Sequence, residues 1–336
     1  MADLVSGAPG FWRGRRVLVT GAAGFVGSHL ARALLEGGAA VVAIMRDRPA
    51  GQELEALGHG GRMSMVFGSV SDYAVVERAV NEYEVTDVFH LAAQAIVGAA
   101  NRSPVSTFEA NIQGTWAVLE AARLSPLVGR VVVASSDKAY GTQPRLPYTE
   151  DMPLLGLNPY DASKACADIL SQSYARAFDL PVVVSRCANI YGGGDRNFSR
   201  LVPGTIRSAL LGERPVIRSD GSPLRDYIHT ADAVGAYLSL GEHALADGVR
   251  GQAFNFGANR PVTVLELTRM ILEAAGRPDL APDVRGTATN EIDQQYLDST
   301  RARDVLGWQP AVSLEEGLRR SVEDYRAYFE GHGFGD

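Results

Sequence analysis

Two short runs bring together side chains that can move protons. Ser135-Ser136-Asp137-Lys138-Ala139-Tyr140-Gly141 sets a hydroxyl, a carboxylate and an amine side by side. Tyr160-Asp161-Ala162-Ser163-Lys164 sets a phenol and an amine four residues apart. On a helix that spacing puts both groups on one face. A lysine beside a tyrosine favours the phenolate by opposite charge. A phenolate can accept a proton from a hydroxyl while hydride leaves the carbon. Tyr-x-x-x-Lys also arises by chance on helices. Here a strand-end serine lies upstream and a glycine-rich turn lies near the amino end.

Val131-Val132-Val133-Ala134, just before Ser136, is short, apolar and β-branched, and it predicts a buried parallel strand. Ser136 then falls at the carboxyl end of a strand, where open α/β sheets place ligands. A first strand is expected over 16–20, followed by the turn Gly21-Ala22-Ala23-Gly24-Phe25-Val26-Gly27 and a helix over 28–36. In that turn Gly21, Gly24, Phe25, Val26 and Gly27 are candidate contacts to a pyrophosphate. Glycines allow its close approach, and the helix amino end offers N–H groups and a dipole. Residues 40–45 predict a second strand ending at Met45 and followed by Arg46, Asp47 and Arg48. An acidic residue there binds ribose hydroxyls, whereas arginine pairs with a 2′-phosphate. Arg46 and Arg48 favour NADP, and Asp47 keeps NAD open. Strands over 63–67 and 85–91 follow, the latter running into His90-Leu91-Ala92-Ala93-Gln94. The small residues after Leu91 let a cofactor lie against backbone, and His90 reads as structural. A long helix is expected over 104–122. Past a strand at 182–186 comes the glycine-rich loop 189–195, able to close over a ligand.

Beyond that loop the alternation of strand and helix breaks. The pattern predicts a helix over 200–211, a hairpin from Val216-Ile217 through the Asp220-Gly221 turn, and a helix over 231–243. A last strand at 253–257 and helices over 262–275 and 314–329 complete it, with Thr263 and Glu266 as a capping box. At 336 residues the chain has room for two lobes. Its net charge of −7 gives nucleic-acid binding no electrostatic support. No apolar run reaches the length of a membrane span. The first ten residues lack signal-peptide regions. Cys166 and Cys187 have no metal spacing, so no metal site is expected and a reduced, cytoplasmic protein is the simple reading.

Taken together, Gly21-x-x-Gly24-x-x-Gly27, His90-Leu91-Ala92-Ala93, Asn111-x-x-Gly114-Thr115, Ser136, Tyr160-x-x-x-Lys164, Arg225-Asp226-Tyr227-Ile228-His229 and Leu306-Gly307-Trp308-Gln309-Pro310 resemble the extended short-chain dehydrogenase/reductase family in its nucleotide-sugar branch. The resemblance runs from Arg16 to Pro310. It implies an α/β fold, a Rossmann-like doubly wound parallel sheet with a smaller α/β substrate lobe. The expected division is a flexible tail at 1–13, a cofactor domain at 14–190 plus 226–257, and a nucleotide-sugar lobe at 191–225 plus 258–330. It also implies tightly bound NAD(P)+ and a homodimer through a four-helix bundle made from helices 104–122 and 160–178. Gln94, Asn189, Arg200, Leu201, Val202 and Arg225 are the candidate substrate contacts. Within the branch, Ser136-Asp137-Lys138 is similar to the cytidine-diphosphate-glucose 4,6-dehydratases, as are Phe11-Trp12-x-Gly14 and the loop 189–195.

That likeness implies a reaction needing more than Ser136, Tyr160 and Lys164. Tyr160 takes the C4 hydroxyl proton as C4 is oxidised, and the ketone acidifies C5–H. Asp137, buried and protonated, is then the acid for the departing C6 hydroxyl. Lys138 is the base at C5 if its basicity is lowered; the alternative is that it simply holds Asp137 ionised, as a structural ion pair at the cleft rim. The alternatives are a 4-epimerase or decarboxylase needing only the Ser-Tyr-Lys set, and a cofactor-binding protein without turnover.

Overall fold

The computed structural model describes residues 10–47, 63–287 and 292–333. Its centre is a seven-stranded parallel sheet. The strands are β1 (Arg16–Thr20), β2 (Ala40–Met45), β3 (Met63–Phe67), β4 (Asp87–His90), β5 (Arg130–Ala134), β6 (Val182–Cys187) and β11 (Ala253–Phe256). Their order across the sheet is β11-β6-β5-β4-β1-β2-β3. Chain order reverses between β1 and β4, and there the carboxyl ends open a crevice. The two faces follow from strand period. Val17 and Val19 of β1 enter the core shared with Leu30 and Leu34 of α1 (Phe25–Glu36), whereas Leu18 enters the core on the opposite face. Both faces are covered, which is why these strands read as continuous apolar runs. Each Val or Leu so buried contributes roughly 1.5–3 kcal/mol.

The helix α2 (Tyr73–Glu82) crosses from β3 to β4. After it, α3 (Val97–Arg102) and α4 (Pro104–Phe108) lead to a π-helical turn over Glu109–Gln113, and α5 (Gly114–Leu124) runs on to β5. The single helix expected over 104–122 is thus broken by that π turn. The wider turn goes with the polar contacts of Asn111. Its amide donates to the carbonyl of Gln94 and to Ser163 Oγ, and it accepts from the Gln94 N–H at 2.7 Å. The helix α6 (Pro159–Phe178) carries Tyr160 in its first turn.

Segments after β6 build the second lobe around a third core. That core joins α7 (Leu201–Leu211), α9 (Val264–Ala274) and α10 (Leu314–His332) through Ile206, Ile271, Leu318 and Val322. The Thr263–Glu266 capping box opens α9 as expected. The hairpin expected near Val216 does not form. Val216–Ile217 (β8) pairs in parallel with Asp283–Val284 (β13), so its partner comes from far along the chain. Leu224–Arg225 (β9) lies between Val262–Thr263 (β12) and Gln294–Gln295 (β14). Asn189–Tyr191 (β7) pairs with Tyr227–His229 (β10), just before α8 (Thr230–His243), which returns to the main sheet.

Trp12, assigned by sequence to a flexible tail, is instead packed. Its ring is 5% exposed and tilted against Phe89, and its indole N–H donates to Glu242. A large ring with a satisfied N–H anchors the chain ahead of β1.

Candidate active site

A single cleft of about 1580 Å³ runs from the α1 amino end, past the ends of β4 and β5, into the second lobe. At its first end the glycines explain themselves. Gly21 has φ +75°, and a Cβ there would come within 2.8 Å of the Ala92 backbone nitrogen. A Cβ on Gly27 would overlap the carbonyl of Gly21. The helix begins at an N-cap glycine, with no side-chain cap and no acidic residue in its first turn. This is a cradle kept clear of side chains at a positive helix end, and it fits a dinucleotide pyrophosphate. Phe25, Val26, Leu91, Ala92 and Ala93 line the same arm.

Met45, Arg46 and Asp47 line the outer part of this arm. The Arg46 guanidinium pairs with the neighbouring Asp47 carboxylate at 2.7 Å, both side chains being exposed. The sequence reading set these two residues as rivals; here they form one ion pair. Arg48 lies outside the described residues.

At the bend of the cleft sit Ser136, Asp137, Lys138, Tyr160 and Lys164. Ser136 leaves β5 in extended conformation and caps the 3₁₀ turn Asp137–Tyr140, its Oγ accepting from the Lys138 N–H at 3.2 Å. The same Oγ donates to Asp137 Oδ1 at 3.1 Å and is hydrogen-bonded to the Tyr160 phenol. Phenol, hydroxyl and carboxyl thus form a continuous chain. Asp137 is 3% exposed, and its Oδ2 is buried without a hydrogen-bond partner. Burial raises its pKa, against the opposing pull of Lys138, Ser136 and Arg225. Raising favours the protonated form, in which Oδ2 carries a proton to donate.

The tyrosine departs from expectation. Burial pushes its phenol up to about 12, and Ser136 and Arg200 offset this only in part. Lys164 is not the group that draws it down. Its own buried amine is lowered to about 8 and donates to the Ala134 carbonyl at 2.7 Å. With its ammonium directed at the β5 carbonyl of Ala134, the lysine does not offset the burial that raises Tyr160. Tyr160 is therefore a phenol at neutral pH in this state. His90 is structural: its ring nitrogens meet Thr20 and Thr115, and burial lowers its pKa to about 3.

The far arm is lined by Gln94, Asn189, Arg200, Leu201, Val202 and Arg225, so every described candidate faces this one cleft. Arg200 is braced by Asp195 at 2.9 Å, and Arg225 donates to the carbonyls of Leu224 and Asp293. Two contributors escaped the sequence reading. Asn111 fixes the Gln94 loop, though its motif was in view. Gln295 lies under the Asp137–Tyr140 turn, bonded to both the Asp137 carbonyl and the Lys138 amine. No sequence signal marks a lone glutamine in an unpatterned segment. Among the described residues no group of three or more His, Cys, Asp or Glu could hold a metal, and no helix is long and apolar enough to cross a membrane.

Residues 18–321 match the family model described as GDP-mannose 4,6 dehydratase. A UDP-glucose 4-epimerase of Mycolicibacterium smegmatis is 36% identical over 93% of this chain and 98% of its own. A dTDP-glucose 4,6-dehydratase of an Actinoplanes species is 32% identical over 93% and 98%, and a CDP-glucose 4,6-dehydratase of Salmonella typhimurium 29% over 96% and 93%. Among solved structures, UDP-glucose 4-epimerase from Thermotoga maritima with UDP-glucose has a TM-score of 0.85 at 31% identity, covering 94% of this chain and 99% of that one. A dTDP-glucose 4,6-dehydratase from Streptomyces venezuelae with NAD bound has a TM-score of 0.82 at 30% identity, covering 95% and 100%. A clear glycine cradle, a Ser-Tyr-Lys set at the bend and a second arm in a separate lobe are what such enzymes need, and the chain belongs to the nucleotide-sugar dehydratase and epimerase branch of the extended short-chain dehydrogenase/reductase family.

Proposed function

We propose that the protein is a nucleoside-diphosphate-hexose 4,6-dehydratase. The observation that carries this is Asp137, a buried carboxyl with an unpartnered oxygen in the cleft wall, one residue from Ser136 and beside Lys138. Oxidation at C4 uses Ser136, Tyr160 and Lys164, and a buried acid has no part in it. Loss of water from C5–C6 does need one. A nicotinamide dinucleotide, when bound, supplies the hydride acceptor for C4 and the donor for C6. The chain's own groups handle protons. Tyr160, once ionised, receives the C4 hydroxyl proton, Lys138 removes C5–H, and Asp137 gives its proton to the departing C6 hydroxyl. Residues 14–190 with 226–257 form the cofactor domain, and 191–225 with 258–330 the sugar-nucleotide lobe, to whose arm of the cleft the cofactor domain adds Gln94 and Asn189.

The test is a panel of nucleoside-diphosphate hexoses with products weighed. Loss of water and, in deuterated solvent, deuterium at C5 are expected. Asp137→Asn should yield a 4-keto sugar that keeps its C6 hydroxyl. The second reading, a 4-epimerase, is favoured by the 36% identical relative. An isobaric product inverted at C4 from every sugar, with no water lost, would establish it instead.

Two finer readings accompany this one. Arg46, on the outer cofactor arm, would meet a 2′-phosphate and favour NADP, with Asp47 released from the guanidinium when that phosphate takes its place. Cofactor freed on denaturation should then be mainly NADP, and NAD alone would assign the ribose to Asp47. The exposed Val105, Phe108 and Trp116, with Ile169 and Phe178 of α6, support a homodimer through these helices.

A further inference from the structure

Lys138 and Lys164 are the only lysines in a chain with 32 lysines and arginines together. Wherever a permanent cation suffices, this chain uses arginine. Lysine stands at two positions, both on the cleft. Of the two side chains, lysine is the one that can release its proton when its surroundings ask for it. What surrounds Lys138 therefore matters to the proton transfers.

Asp137 on its own turn and Asp161 at the start of α6 both feel the Lys138 charge, and Arg225 faces Asp137 from β9. Meeting the ammonium directly is a neutral amide. Gln295 is fully buried, 157 residues further along the chain. Its Oε1 accepts from Lys138 Nζ, and its Nε2 donates to the Asp137 carbonyl at 3.0 Å. One carboxamide thus holds both members of the pair, Asp137 through its backbone and Lys138 through its amine. Its own place is set by β14, where Gln295 lies in register with Arg225 of β9. A carboxylate here would lock the amine as a cation, and an apolar residue would remove the bond that Gln295 makes to it.

We propose that Gln295 is a positioning residue for the elimination step: it orients the Lys138 amine at the cleft wall without neutralising it and ties that orientation to the Asp137 backbone. The kinetic part rests on the dehydratase reading; the structural part does not. With full-length enzyme, Gln295→Met should slow water loss by roughly tenfold to hundredfold, with KM little changed and C4 oxidation retained. The double variant with Lys138→Met should be no slower than Lys138→Met alone. Losses that multiply, or equal loss of C4 oxidation and elimination, overturn the proposal. Selective isotope labelling of lysine gives two side-chain signals. Gln295→Met should move that of Lys138 and leave that of Lys164; an unmoved Lys138 signal overturns the proposal whatever the reaction. Should Gln295→Met not fold, Gln295→Glu keeps the volume, and the Lys138 signal should titrate at higher pH than in wild type. Unchanged titration there has the same consequence. Wild-type enzyme that never loses water sinks the dehydratase reading, and the lysine signals alone then decide the role of Gln295.

Discussion

At the scale of single residues, burial outweighs neighbouring charge. Tyr160 has a lysine one helical turn away, yet desolvation holds its phenol at about 12 and brings Lys164 down to about 8. A buried acid with a raised pKa is poorly ionised at neutral pH and gains phenolate as pH rises. Activity should accordingly increase toward alkaline pH in the wild type. Tyr160→Phe should cut kcat by roughly 10²–10⁴-fold and abolish that rise. A variant with near-normal turnover, or the same pH profile, would show that another group takes the C4 proton. Asp137 is raised by the same cause, which favours its protonated form.

At the scale of elements, spacing sets which residues share a face, and polar contacts decide where the regular pattern breaks. The helix expected over 104–122 has the right residues on the right faces, but Asn111 turns toward the Gln94 loop and Ser163, and the chain widens into a π turn. On the outer side of that turn Val105, Phe108, Ile112 and Trp116 line a shallow hollow of about 310 Å³. Val105 is 67% exposed. Apolar side chains clustered on one outward helix face mark an association surface. Trp116→Glu together with Val105→Glu should convert the proposed dimer to a monomer. Light scattering across a wide concentration range reads this directly; a wild-type mass of one chain throughout would remove the dimer from consideration.

At the scale of the whole molecule, sequence alone determined the main sheet, because its rules are local. Val131-Val132-Val133 must be buried on both faces, Gly21 and Gly27 must stay without Cβ, and Tyr160 and Lys164 must share a helix face. From these came the strand-end position of Ser136 and the cradle at α1. The second lobe was less legible. Its strands are two or three residues long, too short for a period to show, and their partners are remote: β8 finds β13, and β9 finds both β12 and β14. The hairpin expected from a local turn signal lost to that remote pairing. Trp12 could not be placed from its neighbours either, since Phe89 and Glu242 hold it. Gln295 is the plainest case. Glutamine has no periodic signature, and its function arises only because β14 lies beside Arg225 and sets its amide beneath Asp137 and Lys138. Side-chain type and spacing specify what chemistry is available; long-range strand pairing, which no local pattern encodes, decided which amide holds the charged pair and how far burial shifts each proton.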